Sequence, residues 1–420
     1  MAFSFKPQTW LIPRVKGFAL LLALLGPGII TSNVDNDAGG IATYSICGAR
    51  FGYSLLWSLI PISILLIVVQ EMCFRMGVVT GKGLSDLIRE RFGVRITFYL
   101  MVAVFACNLG NVFAEFAGIA ASLAIVGVSK YVSVPIAAAL VWLLVVKGNY
   151  KRVEKIFLAA CVVYVSYIIA GVMVKPPWGE VAAEVLVPRL NWNGDALAML
   201  IGVVGTTIAP WMQFYLQAAV VEKGVKVSEY RFAKWDVITG SIGVNVVAFF
   251  IILACGATIF VAQIPIETAA DAAMALRPLA GKYASFLFGF GLLNASLFAA
   301  SILPLSTAFF ISEAFGWEAG VDKKFSEAPQ FYSLYTGTVA VGAVAILLPG
   351  IPLLTIMYLS QVFNGVVLPV VIAFMLILIN DRRLMGNYVN GPIRNVVATG
   401  ASVLLAGLCA AMVILSIVRR

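Results

Sequence analysis

The sequence predicts an all-α polytopic membrane protein of eleven transmembrane helices, two of them interrupted halfway. Three observations predict it: the apolar composition, the recurrence of apolar runs long enough to cross a bilayer, and polar breaks at matched places in two of those runs. Of 420 residues, 61% are hydrophobic and only 12% are charged, the latter about half the share in a typical soluble domain. A soluble fold of this size would leave large apolar patches exposed. Lipid accommodates them.

A span needs roughly 20 mostly apolar residues. Candidates run at 17–45, 51–78, 96–127, 131–148, 153–174, 196–222, 236–263, 283–315, 331–349, 352–380 and 393–418. Little chain remains for a soluble domain. The first run is too long, and continues too directly into polar residues, for a signal peptide.

The net charge of +9 reports topology rather than a nucleic-acid partner. With a cytoplasmic N-terminus, 21 of the 29 Lys and Arg fall on the cytoplasmic side and 8 on the other, as the positive-inside rule expects. The six cysteines lie in or beside apolar spans without a C-x-x-C pair, so they read as packing residues. There is no histidine. Its absence removes His-based catalysis and the commonest titratable group near neutral pH.

The first span carries Asn33, Asp35, Asn36 and Asp37 at its middle, followed by Gly39 and Gly40. Intramembrane charges are costly and persist where they face a cavity or ligand, and each glycine weakens a helix by about 1 kcal/mol. A break near 36–40 follows. The sixth span has Thr206, Thr207 and Pro210 at similar depth, and proline removes a backbone donor. These breaks lie about 173 residues apart, with five spans per half. That is the pattern of an inverted-repeat transporter with its site between the breaks. The division is 1–175 for the first repeat, 176–380 for the second and 381–420 for an additional helix.

Asp37 is the leading candidate ligand: a carboxylate beside an unwound segment presents oxygens to a cation while freed carbonyls complete the shell. No Lys or Arg occupies the middle of that span to neutralise it instead. Asn108, Asn111 and Glu115 share one face of the third span and line either a pathway or an interhelical network. Gln361 and Asn364 are amides in the apolar tenth span, where amides often join helices.

The stretch from Gly26 through FGYSLLW and VVQEMCFRMGVVTGKGLSDLIRERFG resembles the Nramp family of divalent-metal transporters. So do GTTIAPWMQFYLQAA at 205–219 and YLSQVFNGVVLP at 358–369. The resemblance implies a LeuT-like fold of five plus five inverted repeats and an eleventh helix. It also implies Gln361 as a tenth-helix ligand, and the carbonyls of Val34 and Thr206 as backbone ligands.

The departures from the family pattern are as informative. The family's Asp-Pro-Gly-Asn stands here as Asp37-Ala38-Gly39-Gly40, so the acid is kept and the asparagine ligand is lost at Gly40. Its Met-Pro-His stands as Ala209-Pro210-Trp211, and a second histidine is replaced by Gln217. Asn108 and Asn111 replace an acidic pair associated with proton movement. Losing the thioether at Ala209 removes a soft ligand that favours Mn²⁺, Fe²⁺ and heavier ions. A roomier site of oxygens suits Mg²⁺, which usually keeps several waters. Trp211 either plugs the space of the missing histidine or walls the cavity.

The expectation is therefore a secondary transporter of partly hydrated Mg²⁺, with Mn²⁺ also passing, uncoupled from protons, working as a monomer in a bacterial plasma membrane and needing no cofactor. The alternatives are a proton-coupled Mn²⁺/Fe²⁺ transporter or an amino-acid permease of the same fold. An acid at the break disfavours a substrate carboxylate there. An intramembrane metalloprotease would need H-E-x-x-H, which a chain without histidine cannot supply.

Overall fold

A computed structural model describes residues 34–147, 161–189, 193–321 and 323–418, and they are helical with connecting turns. The N-terminal part of the first span, Asn33 included, and the start of the fifth lie outside the described residues. Within them every expected span has its helix. In chain order these are α1 (Ala38–Phe51), α2 (Leu59–Thr80), α3 (Leu84–Ala124), α4 (Lys130–Val146) and α5 (Val165–Met173). A short α6 (Trp178–Leu186) precedes α7 (Gly194–Thr207) and α8 (Pro210–Glu222), the two halves of the sixth span. Then come α9 (Tyr230–Cys255), α10 (Ala284–Phe315), α11 (Pro329–Leu347), α12 (Leu353–Ile379) and α13 (Pro392–Val418). Eight stretches among the described residues are long and apolar enough to cross a membrane.

The third span departs from its expected start at 96. Its helix begins at Leu84 and turns at Gly93, whose φ of 80° is a conformation only glycine adopts freely. Residues before the kink carry Arg89, Glu90 and Arg91, while Val94, Phe98 and Tyr99 beyond it are exposed apolar side chains. The charge pattern fits a segment lying along the membrane surface before the chain turns into lipid.

Helices α1, α3, α7, α10 and α12 form the centre of the bundle, and glycines let their backbones meet. A Cβ added at Gly205 of α7 would sit 2.1 Å from the Gln361 carbonyl oxygen and 2.3 Å from the Gly365 nitrogen of α12. One added at Gly118 of α3 would sit 2.4 Å from Ala38. Small residues at helix contacts serve where lipid supplies no hydrophobic drive for association. Both interrupted spans are thereby held against the third and tenth.

Candidate metal site between two broken helices

The first break arises because three backbone donors are diverted. In a continuous helix the Ala38, Gly39 and Gly40 amides would bond the carbonyls of Val34, Asp35 and Asn36. Instead the Ala38 N–H donates to Glu115 Oε2 at 3.3 Å, and the Gly40 N–H donates to Asp37 Oδ1 at 2.7 Å. The Gly39 N–H also faces the Asp37 carboxylate. Asp37 is thus the N-cap of α1, in extended conformation at φ −71° and ψ −174°. The Asn36 carbonyl accepts from the Tyr164 hydroxyl at 2.9 Å. The carbonyls of Val34 and Asp35 are left without their helical donors.

At the second break Pro210 lacks the N–H that would have bonded the Thr206 carbonyl. Ala209 is extended, at φ −67° and ψ 139°, and Pro210 opens α8 at a position where its fixed φ is favourable. Ala209 and Pro210 carbonyls accept from the Gln213 amide at 2.6 and 2.8 Å when that amide is turned to donate. The carbonyl freed by proline is that of Thr206. A Tyr44 Oη–Thr207 Oγ1 hydrogen bond of 2.8 Å joins the two broken spans.

These elements converge. A Cβ at Gly40 would lie 2.7 Å from the Asp35 carbonyl oxygen, 3.3 Å from Thr206 Oγ1 and 3.5 Å from Asp37 Oδ1. One at Gly39 would run into the Gln361 amide, 1.8 Å away. The Asp37 and Glu115 carboxyl groups are in hydrogen-bond contact. The structure therefore gathers Asp37, Thr206, Gln361 and Glu115 around the glycines, with Val34 at the first break and Ala209 at the second. The cluster is closed: Asp37 is 4% exposed and Gln361 1%. The roomier cavity expected from the loss of two ligand side chains is not open in this conformation, because the Gln361 side chain covers Gly39.

The polar face of the third span divides among partners. Asn108 Nδ2 donates to the Leu303 carbonyl and to Thr307 Oγ1 of α10, both at 2.7 Å. Asn111 exchanges hydrogen bonds with Asn364 of α12 at 3.1 and 2.9 Å, and Asn364 donates to Gln361 Oε1 at 2.7 Å. Asn111 and Glu115 thus adjoin the break, whereas Asn108 is turned to a neighbouring helix. Gln217 also lies away from the cluster: its amide donates to the Lys82 carbonyl, 2.9 Å away, beyond the end of α2. The indole of Trp211 is buried, its ring 6.2 Å from that of Tyr215.

Among the described residues no three of His, Cys, Asp and Glu gather into a metal cluster. A cation here would draw on amide and carbonyl oxygens beside the Asp37 carboxylate, with Glu115 adjoining, a hard oxygen set. Several buried oxygens have no hydrogen-bond partner among the described residues: both of Asp35, Asn36 Oδ1, Thr206 Oγ1 and Glu115 Oε1. Burying polar atoms without a partner is costly. Sequence reasoning missed Tyr164, whose hydroxyl holds the Asn36 carbonyl; a tyrosine in an apolar span carries no signal of that role.

A model of the family described as natural resistance-associated macrophage protein-like matches residues 28–415. The chain belongs to the Nramp family. It is similar to the divalent metal cation transporter MntH 1 of Pseudomonas aeruginosa, 30% identical over 397 residues covering 88% of this chain and 86% of that one. It is 28% identical over 301 residues to MntH of Deinococcus radiodurans, covering 68% of each. Among solved structures, the manganese transporter of Eremococcus coleocola superposes with a TM-score of 0.75 at 22% identity, over 94% of this chain and 87% of that one. Mhp1, a nucleobase-cation-symport-1 family transporter, gives 0.59 at 14% identity over 93% and 91%. The fold is shared with the manganese transporter over 94% of this chain, and the named Nramp relatives are transporters, not enzymes.

Proposed function

We propose that this Nramp protein carries a divalent cation across the membrane, binding it between the two breaks. Asp37 supplies the charge, Gln361 and the carbonyls of Val34 and Thr206 supply neutral oxygens, and Gly40 and Ala209 mark the positions left without a ligand side chain. The observation that carries the reading is the loss of helical backbone donors at both breaks, diverted at the first and missing at Pro210 in the second, beside a buried aspartate. The divalent-cation names of the relatives support it.

The preferred ion is Mg²⁺ with part of its water shell, and Mn²⁺ also passes. An all-oxygen donor set without a thioether supports this preference. Transport is uncoupled from protons, since the chain has no histidine and Asn108 and Asn111 are neutral. The two repeats span 1–175 and 176–380, with 381–420 as an added helix, and the protein works as a monomer in a bacterial plasma membrane with its N-terminus inside. One observation favours a second reading, a proton-coupled Mn²⁺/Fe²⁺ transporter: Glu115 touches Asp37 and could accept a proton as the metal leaves.

The test is flux of Mg²⁺, Mn²⁺ and Ca²⁺ into liposomes holding the purified protein and an internal pH dye. The account expects saturable Mg²⁺ uptake at constant internal pH. Acidification that tracks metal uptake would select the second reading, and uptake of neither Mg²⁺ nor Mn²⁺ would remove both.

A further inference from the structure

A pocket at the kinked end of α3 has no part in the cation site. Its cavity of about 580 Å³ is lined by Arg91 before the kink, Ile377 and Asn380 at the end of α12, and Asp381, Arg382 and Arg383 just beyond. Three arginines therefore line one open depression beside a single aspartate. That carboxylate is already engaged: Asp381 accepts from the Arg383 backbone N–H at 2.8 Å and pairs with the Arg91 side chain at 3.6 Å. Arg382 and Arg383 are exposed and have no carboxylate partner among the described residues. Scattered singly, such charges would only be solvated topology signals; here they border one open, shallow depression.

The cavity also reaches an apolar surface. Ile377 is 48% exposed on α12, and just beyond Gly93 α3 exposes Val94, Ile96, Phe98 and Tyr99 beside Arg95. A ligand seated here meets guanidinium groups at one end and the lipid-facing surface at the other.

We propose that this pocket binds the phosphate group of an anionic phospholipid, with Arg382 and Arg383 as its principal donors and the acyl chains running past Ile377. Arginine forks match phosphate oxygens two at a time, and basic pockets between helix ends take lipid headgroups. The bound lipid bridges α3 and α12, the helices that bring Asn111, Glu115 and Gln361 to the cation site. Phe92 and Phe374 already meet edge to face across the same junction at 4.9 Å.

The experiment compares the full-length protein with the Arg382→Gln/Arg383→Gln variant in neutral detergent. Thermal unfolding is followed with phosphatidylglycerol, phosphatidylcholine or inorganic phosphate, and retained lipid is counted by mass spectrometry of the intact protein. The expected result is a rise in Tm on the order of a few degrees with phosphatidylglycerol alone, at least halved in the variant, with one fewer lipid retained. An equal rise and equal retention in both proteins overturns the proposal. So does no rise in the wild type. A rise matched by inorganic phosphate removes the lipid and leaves a free-phosphate site.

Discussion

At the scale of residues, one substitution in each break sets the chemistry of the proposed site. Ala209 stands where the family carries a thioether, and Ala209→Met should lower Mg²⁺ uptake relative to Mn²⁺ by roughly tenfold, read from competing fluxes in liposomes. Unchanged selectivity would count against the donor-softness argument. Gly40 is constrained on the backbone side: its Cβ position lies 2.7 Å from the Asp35 carbonyl, so Gly40→Asn cannot restore the family ligand without moving the first break. We expect that variant to lose most transport while remaining folded by gel filtration. In the sequence Gly40 and Ala209 stand out as departures from the family pattern, and Asp37 as a charge in the middle of an apolar span. The sequence could not separate Asn108 from Asn111 and Glu115, since the spacing puts all three on one face. Only the packing of α10 and α12 on opposite sides of that face assigns their partners.

At the scale of elements, the breaks are the functional parts and each has a local cause. Pro210→Ala returns an N–H opposite the Thr206 carbonyl and lifts the penalty of about 3 kcal/mol that proline would impose on a helix running through the break. The account expects α7 and α8 to join, Tm to hold or rise, and Mg²⁺ flux to fall at least tenfold. Normal flux in a stable variant would mean that the freed carbonyl is not used. Close helix contact is a separate requirement. Gly205→Val places side-chain atoms into the backbone of α12, and overpacking of this kind costs about 1–3 kcal/mol, measurable as a lowered Tm with or without cation. Apolar length found the spans and proline found the second break. The extension of α3 back to Leu84 was hidden, because charged residues ended the apolar run while the helix continued past it.

At the scale of the whole molecule, an apolar bundle surrounds a short line of oxygens with no basic residue among them. Arg75, the buried arginine of α2, is engaged elsewhere, with Glu71 at 3.2 Å and the Tyr388 carbonyl at 2.9 Å. The carboxylates at the break therefore have no built-in counter-ion among the described residues, and the proposed divalent cation would offset the charge that burial makes costly. The bundle's architecture was readable from composition and periodicity; the closure of the site was not, because it depends on where the Gln361 side chain comes to rest. The most direct measurement is Mg²⁺ uptake by liposomes containing Asp37→Ala beside the wild type at equal protein load. A loss of more than about 100-fold is expected when the charged ligand is removed. Uptake at the wild-type rate would place the cation elsewhere and contradict the account.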